Sequence, residues 1–187
     1  TFDLILQAQS ALMPTRTLTR ILFIFCIVLM NIGCDQASKK IVRNKIADNA
    51  TISVIKDHLT LTRVENSGAF LSLGNELKGA MRNMLLNGLP MLALILGLGY
   101  ILYKKNLSPV ILLGICFIIG GGFGNLYDRL TYGSVTDFLH IRLFGLQTGV
   151  FNMADVSIMT GSFLVAIASL LPQKPKAADA DTAVETI

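Results

Sequence analysis

Charged residues are scarce in this sequence. They make up 15% of its 187 residues, whereas the hydrophobic types A, V, I, L, M, F, W, Y and C make up 52%. Soluble domains carry about 25% charged residues, so the polar surface is too small to coat a soluble globule. The same abundance of apolar residues excludes a disordered chain. The composition therefore predicts a small polytopic membrane protein.

A concentrated basic surface is also missing. Lys and Arg number 16 against 12 Asp and Glu, which gives a net charge of +4, but the basic residues are scattered and form no long run. Nucleic-acid binding requires a basic face, so we expect no nucleic-acid partner. Basic residues that flank membrane spans are the simpler explanation of the charge.

Metal-binding and disulfide patterns are absent as well. The cysteines Cys26, Cys34 and Cys116 lie in or beside apolar stretches, and we predict that they are buried small hydrophobic residues. His58 and His140 are the only histidines, and there is no HEXXH motif. Zinc sites need several such ligands at defined spacings, so we predict neither a metal site nor a cofactor.

Four apolar runs approach the length of about 20 residues that a helix needs to cross a bilayer. The predicted spans cover residues 18–34, 84–103, 107–126 and 150–171. Four spans place both termini on one face of the membrane. The long connection 35–83 and the shorter connection 127–149 then share the opposite face.

Short elements are predicted in the long connection. Residues 51–64, TISVIKDHLTLTRV, alternate polar with branched or aliphatic side chains, which favours one or two short strands. Residues 66–68 carry a turn signal, and residues 75–82, NELKGAMR, fit an interfacial helix lying on the bilayer. The predicted fold class is an all-α polytopic membrane protein with a small extracytoplasmic β segment and an interfacial helix.

The two ends of the chain are expected to lie outside this domain. Residues 1–12 lack an initiator Met, whereas MPTRTLTR from Met13 is typical of a natural start, so we predict a non-native or leader segment there. Residues 172–187 are polar and predict a disordered tail. Residues 13–171 then form a single membrane-embedded domain.

Four acidic residues stand at the predicted membrane boundaries: Asp35, Asp128, Asp137 and Asp155. Ionisable groups at membrane depth are costly, and they indicate function by default. The simplest interpretation of Asp137 alone, within SVTDFLHI, is a cap of a helix or turn. Two carboxylates brought together, however, cannot both ionise easily and share a proton. One can then deprotonate a water while the protonated partner polarises a carbonyl, as in aspartic proteases.

Further polar residues accompany these acids at helical spacing. Asn125 lies three residues before Asp128 and four before Arg129, so one helix face would carry all three. Spacings of three or four also join two other pairs, Asn152 with Asp155 and Asp35 with Lys39. Such partners can orient a carboxylate, hold substrate carbonyls or simply satisfy a buried charge, and the spacing leaves these roles open.

The sequence resembles the lipoprotein signal peptidase (signal peptidase II) family from the first predicted span to the last. Five matching stretches occur in order: DQASK at 35–39, ENSGAF at 65–70, GGGFGNLYDR at 120–129, VTDF at 135–138 and FNMAD at 151–155. Each stretch is short and weak alone. Five in the right order, at the ends of four spans, form a specific signature.

The resemblance implies a role for individual residues. The catalytic aspartates of that family fall on Asp137 and Asp155. Positions that contact substrate or support the pair fall on Asn66, Gly68, Asn125, Arg129 and Asn152, and the first motif adds Asp35 and Lys39. Asp128 matches a structural position.

The resemblance also implies a substrate and a location. The substrate would be a bacterial prolipoprotein whose lipobox Cys already bears diacylglycerol, cut on the amino side of that Cys, and membrane lipids would be the other partner. No cofactor and no obligate protein partner is implied. The protein would lie in the cytoplasmic (inner) membrane with cytoplasmic termini and an active site near the outer, periplasmic face. A simple count of basic residues, ten on the face of the long connection against six on the terminal face, would give the opposite orientation.

Two other functions compete with this one. A small ion or proton transporter could use Asp137 and Asp155 as carriers, although four spans show no evident repeat. Alternatively, NIGCD around Cys34 loosely imitates a lipobox, which would make the chain itself a lipoprotein. Asn31 is a poor residue for the key hydrophobic position of such a motif, and three further spans would follow it.

Overall fold

The computed structural model describes residues 15–56, 58–68 and 79–171. In these residues four helices are long and apolar enough to cross a membrane by length and composition. They are α1 (Thr15–Lys45), α2 (Gly79–Tyr103), α3 (Pro109–Tyr132) and α4 (Met153–Leu170). A small antiparallel sheet contains β1 (Thr51–Ile55), β2 (Leu59–Asn66), β3 (Val135–Leu143) and β4 (Leu146–Gln147). This architecture agrees with the predicted polytopic membrane protein.

Helix α3 has clear start and stop signals in the sequence. The Ser108 hydroxyl accepts a hydrogen bond from the backbone N–H of Ile111 at 3.3 Å, and Pro109 suits the first helical position because its φ is already helical. Gly133 ends the helix with a φ of +75°, which favours glycine. The stop places the end of α3 directly before β3.

Helix α2 contains one wider turn. Gly79–Asn83 and Leu89–Tyr103 are α-helical, and Met84–Gly88 between them forms a π-helical turn. At the far end, the Arg20 guanidinium of α1 donates to the carbonyl oxygens of Ile101 at 2.7 Å and of Lys104 at 2.8 Å. These carbonyls have no partner within their own helix, so Arg20 joins α1 to the end of α2.

Close packing of the helices around α3 depends on glycine. A Cβ added to Gly114 would lie 2.7 Å from the carbonyl oxygen of Gly161 in α4, and one added to Gly124 would lie 2.6 Å from the Oδ2 of Asp35 in α1. Small residues let helix backbones approach closely in membrane proteins. The glycines of α3 therefore bring α1 and α4 against it.

The sheet lies beside one end of the helices and has the strand order β1-β2-β3-β4. In the β2–β3 pairing, Asn66 lies opposite Val135. Past β4 the chain returns to β3, where Phe151 forms an isolated antiparallel bridge with Leu139. This bridge holds the start of α4 against the middle of β3.

Strand β3 is the main departure from the predicted all-α class. Asp137 lies inside this strand, whereas its neighbourhood predicted a helix or turn cap. Residues 139–143 do carry an alternation of apolar and polar side chains, which is typical of strands. One or two strands were predicted within residues 51–64, and the structure has two there, β1 and β2, the second of which continues to Asn66.

Helix ends also differ from the prediction. Helix α1 continues through Lys45 instead of ending at residue 34, because the polar residues that follow find buried partners. Helix α3 likewise continues to Tyr132, and α4 begins at Met153. The described part of the predicted interfacial helix, residues 79–82, is the start of α2. Residues 75–78, the predicted leader 1–12 and the predicted tail 172–187 lie outside the described residues.

The predicted burial of the cysteines is wrong for two of them. Cys116 is buried, but Cys26 and Cys34 are exposed on α1. Large apolar side chains on the outer helix surfaces are exposed in the same way, for instance Phe163 at 65%. In a membrane protein such a surface faces lipid, so an apolar sequence position does not distinguish the core from the lipid boundary.

Candidate active site

Strand β3 and helix α4 bring the two predicted catalytic carboxylates to one place. Asp137 in β3 is 4% exposed, and Asp155 is half-buried in the first turn of α4. The carbonyl oxygen of Phe151 accepts backbone N–H groups from Phe138 at 3.0 Å and from Leu139 at 2.7 Å. The short segment before α4 is thus fixed to the strand that carries Asp137.

Asn152 contacts both carboxyl groups. Its Nδ2 donates to Asp137 Oδ1 at 2.6 Å, and its backbone N–H donates to Asp155 Oδ2 at 3.1 Å. Its own Oδ1 accepts the backbone N–H of Asp155 at 3.0 Å, which completes a capping box at the start of α4. Asn152 therefore sits in the cap position before the helix, not on a helix face as its spacing suggested, and holds the two acids together.

Asn125 supports the second carboxylate from α3. Its Nδ2 donates to Asp155 Oδ1 at 2.9 Å, while its Oδ1 accepts from Lys39 Nζ at 2.9 Å and from Asn152 Nδ2 at 3.1 Å. An ammonium group can only donate, so Lys39 fixes which end of the Asn125 amide faces it. The amide NH2 group is thereby directed at Asp155.

The turn after β2 supports the first carboxylate. Asn66 Nδ2 donates to Asp137 Oδ2 at 3.0 Å, and Asn66 Oδ1 accepts the backbone N–H of Gly68 at 3.0 Å. Arg129 Nη2 donates to the carbonyl oxygen of Gly68 at 3.2 Å. Where a turn was predicted, Asn66 ends β2 and Gly68 lies in a bend directly after it. Each oxygen of Asp137 accepts one amide hydrogen bond.

A buried ion cluster lies behind the carboxylates. Lys39 Nζ is 2.7 Å from Asp35 Oδ2 and 3.2 Å from Asp128 Oδ2, and all three side chains are fully buried. Asp35 Oδ1 also accepts the backbone N–H of Ala154 at 2.9 Å. The cluster thereby connects α1, α3 and the first turn of α4.

Three further residues join this cluster without a role predicted from the sequence: Gln36, Arg43 and Thr136. Gln36 Nε2 lies 3.1 Å from oxygens of both Asp35 and Asp128. Arg43 Nη2 stands 2.8 Å from Asp128 Oδ2, at ion-pair distance without the alignment of a hydrogen bond, and its Nε donates to Thr136 Oγ1 at 2.8 Å. Arg43 follows Lys39 by one helical turn, a spacing that could have indicated it.

Burial dominates the electrostatics of Asp137. It raises the pKa of this carboxyl from 3.8 to about 6, because the charged form loses its hydration. The hydrogen bonds from Asn66 and Asn152 favour the charged form and oppose that shift, whereas the nearby negative charge of Asp155 adds to it. The site therefore contains a carboxyl group that stays protonated at a higher pH than a solvent-exposed aspartate does.

This arrangement suits acid–base chemistry by two carboxyl groups. One member holds a proton readily, and the other is supplied with hydrogen-bond donors at a helix N-terminus, which stabilises negative charge. In residues 15–56, 58–68 and 79–171, no group of three or more His, Cys, Asp and Glu side chains is arranged to hold a metal ion. The fold and this site define a multi-pass membrane protein with a pair of carboxylates, one buried and one half-buried, that Asn152 joins.

Comparisons with known proteins supply the family. A family model described as Signal peptidase (SPase) II matches residues 27–171. A lipoprotein signal peptidase of Pelodictyon phaeoclathratiforme is 35% identical over 152 residues, which covers 76% of this chain and 87% of the relative. One of Clostridioides difficile is 37% identical over 146 residues, which covers 78% and 93%. The chain belongs to the signal peptidase II family.

A solved structure shares the fold. It is described as a bacterial membrane enzyme determined by the in meso method at 1.9 Å resolution, and it matches with a TM-score of 0.69 and 27% sequence identity. The match covers 81% of this chain and 94% of the other. The family and the four apolar helices identify the chain as a bacterial membrane protease.

Proposed function

We propose that the chain is an aspartic endopeptidase that removes the signal peptide from diacylglyceryl-modified bacterial prolipoproteins on the amino side of the lipidated Cys. The names of the relatives support the substrate class. The observation that carries the catalytic type is Asn152, which donates to Asp137 through its side chain and to Asp155 through its backbone. Two acids held in this way can share one proton and act on one peptide bond.

In the proposed reaction Asp137 holds the proton of the pair, because burial raises the pKa of this carboxyl to about 6. Asp155 accepts two hydrogen bonds, carries the negative charge and removes a proton from water. The water oxygen attacks the scissile carbonyl carbon as Asp137 protonates the carbonyl oxygen. Asp155 then gives its proton to the amide nitrogen as the C–N bond breaks, and Asp137 recovers its own proton. The products are the carboxyl terminus of the signal peptide and the free amino group of the Cys.

The proposed substrate contacts lie on the turn after β2. Arg129 reaches the carbonyl oxygen of Gly68 with one nitrogen, while its buried Nε has no hydrogen-bond partner in the described part of the chain. A buried donor without a partner is costly, and a substrate carbonyl would satisfy it. We assign Asn66, Gly68 and Arg129 to substrate positioning beside Asp137. Asn125 and Asn152 are assigned to holding the pair, and Asp35, Lys39 and Asp128 to the support of α1, α3 and α4.

The proposed orientation follows from the substrate. The apolar part of a signal peptide partitions into the membrane, and the bond to be cut lies at its end, where the exported protein begins. Asp137 and Asp155 likewise lie at one end of the apolar helices, next to the sheet, where they could meet that bond. We therefore place the sheet and the site at the outer face and the two termini in the cytoplasm, against the simple count of basic residues.

The transporter alternative is not favoured, because the family and the named relatives are peptidases. The discriminating assay uses purified protein with two synthetic prolipoprotein peptides that differ only in the diacylglyceryl group on Cys. We expect cleavage of the lipidated peptide and little cleavage of the peptide without the diacylglyceryl group. Mass spectrometry should find the new amino terminus on that Cys. Cleavage at another bond, or an activity abolished by a metal chelator, would contradict the proposal.

A further inference from the structure

A cleft of about 410 Å³ opens on the sheet, and none of its lining residues belongs to the carboxylate site. Its lining consists of Thr51, Thr60, Thr62, His140, Arg142 and Val150. Thr51 pairs across the strands with Thr62, and Thr60 pairs with His140. Arg142 follows His140 by two positions and so lies on the same face of β3. Three strands thus contribute hydroxyl, imidazole and guanidinium groups to one surface.

The donors of this cleft are incompletely used. Thr60 Oγ1 lies 3.3 Å from His140 Nδ1, and Thr51 Oγ1 lies 3.0 Å from Thr62 Oγ1. Across residues 15–56, 58–68 and 79–171, no carboxylate lies within ion-pair distance of the Arg142 guanidinium. No described lining residue is acidic. A guanidinium fork beside hydroxyl and imidazole groups is suited to a phosphate oxygen.

The hairpin next to the cleft is built to enter lipid. Directly after Arg142, the side chains of Leu143, Phe144 and Leu146 are 49%, 93% and 78% exposed. Phe144 adopts a φ of +49°, which is unusual for a bulky residue and costs free energy. The fold therefore accepts strain at the tip of a hairpin whose most prominent side chain is aromatic and open to the surroundings. Beside a membrane, such a tip inserts into the interfacial region.

Insertion of this tip would place Arg142 and His140 at the depth of lipid headgroups. Anionic headgroups attract basic residues at that depth. The volume of the cleft exceeds the need of a bare phosphate ion and leaves room for the glycerol groups on either side of a phosphodiester.

We infer that this cleft binds the phosphodiester headgroup of an anionic membrane phospholipid. Arg142 and His140 contact the phosphate oxygens, and the threonine hydroxyls contact the headgroup beyond them. A zwitterionic headgroup fits less well, because no described lining residue offers a carboxylate to its ammonium group. Since Asp137 and Arg142 lie on the same strand, a bound headgroup would also fix the height of the carboxylate site relative to the bilayer. The inference is independent of the proposed peptide cleavage.

The test measures binding to the full chain in detergent. The probes are the short-chain lipids dihexanoylphosphatidylglycerol and dihexanoylphosphatidylcholine, and inorganic phosphate. We expect dihexanoylphosphatidylglycerol to bind at least tenfold more tightly than dihexanoylphosphatidylcholine or inorganic phosphate. Loss of one charge-assisted hydrogen-bonding group costs about tenfold or more in affinity. Arg142→Gln should therefore weaken the binding of dihexanoylphosphatidylglycerol by about that factor. Lys45→Gln is the matched control, because it removes one exposed charge outside the cleft.

Three results would overturn the inference. Equal affinity for inorganic phosphate would show a simple anion site, equal affinity for both lipids would show no headgroup recognition, and an equal loss in Lys45→Gln would show general attraction by surface charge. Arg142→Lys provides a second variant that keeps the charge without the planar fork, and it should bind with intermediate affinity. The melting temperature of each variant without lipid identifies any variant that fails to fold. The lipid affinity of the other Arg142 variant then tests the inference.

Discussion

The side-chain nitrogen of Asn152 lies 2.6 Å from Asp137 Oδ1, so the residue that caps helix α4 also donates to the carboxylate of strand β3. One asparagine therefore combines a structural task with a task in the site. Its oxygen completes the helix cap, and its nitrogen orients a carboxyl group whose pKa is raised to about 6 by burial. A shift of the first turn of α4 would therefore move Asp155 and disturb the hydrogen bond that orients Asp137.

The proposed mechanism predicts that each acid is indispensable. Asp137→Asn and Asp155→Asn should each lower the rate of cleavage by about 10⁴-fold, because loss of one member of a catalytic unit commonly has an effect of that order. Single-turnover cleavage of a lipidated peptide measures the effect. Asp48→Asn is the matched control, since Asp48 is 68% exposed and pairs with Arg63 outside the site. Near-normal cleavage by both site variants would show that the carboxylates are structural.

The double task of Asn152 can be divided by substitution. In Asn152→Ser the hydroxyl can still accept the backbone N–H of Asp155, but it cannot replace the amide donor to Asp137. We expect stability near that of the wild type and a loss of about 100-fold in the rate of cleavage, the lower end of the range for a positioned donor. Asn152→Ala removes the cap as well and should cost about 1 kcal/mol of stability. If both variants melt alike and cleave alike, the cap and the site are not separable.

Protonation of Asp137 predicts a pH dependence of cleavage. The rate should decline on the alkaline side of about pH 6, where Asp137 loses its proton. Asn66 donates to the charged form and thereby lowers this pKa, so Asn66→Ala should move the alkaline limb to higher pH. The pH profile of kcat/KM measures the shift, and Asn44→Ala on the exposed side of α1 is the control. A limb that stays in place would mean that Asn66 does not influence the titrating group.

Asp137 should also make the free energy of unfolding depend on pH. A salt-bridged aspartate loses its stabilising effect as the pH falls, whereas Asp137 loses its effect as the pH rises. Between pH 3.8 and about 6 the folded protein retains a proton that the unfolded chain releases. The stability contributed by this group is therefore greatest below pH 3.8 and is lost as the pH rises through about 6. Unfolding measured across this range should show a smaller decline with pH in Asp137→Asn than in the wild type.

The membrane spans and the acids of the site were predicted from the sequence better than the buried ion cluster and the strand that hold them together. Long apolar runs reveal membrane helices because the bilayer sets their length, but they do not show that α1 continues to Lys45. The polar residues after position 34 resemble a loop until their partners are known. Lys39 is fully buried because Asp35 and Asp128 face it, and this depends on packing of α3 against α1.

Strand β3 was harder to predict for a related reason. Its alternating pattern is short, and the acid that matters interrupts it at Asp137. The strand is stabilised by pairing with β2, far away in the sequence, and by the bridge from Phe151. Pairings of this kind are set by tertiary structure rather than by local preference. The position of Asn152 as a cap could be predicted more readily, because an Asn three residues before an Asp, at the start of an apolar run, is a common helix start.

The buried ion cluster predicts a large loss of stability when its cation is removed. Lys39→Met would leave Asp35 and Asp128 facing each other without the shared ammonium group. Breaking a buried pair by removing one partner costs about 3–5 kcal/mol, so the variant should melt at a much lower temperature. Lys40→Met is the matched control, because Lys40 is the exposed neighbour on the same helix and carries the same charge. A Lys39→Met protein as stable as the control would mean that the cluster adds nothing to the packing of α1 against α3. If Lys39→Met does fold, the Oδ1 of Asn125 keeps only the donor from Asn152, so Asn125 holds Asp155 less firmly and cleavage should fall further than the loss of folded protein explains.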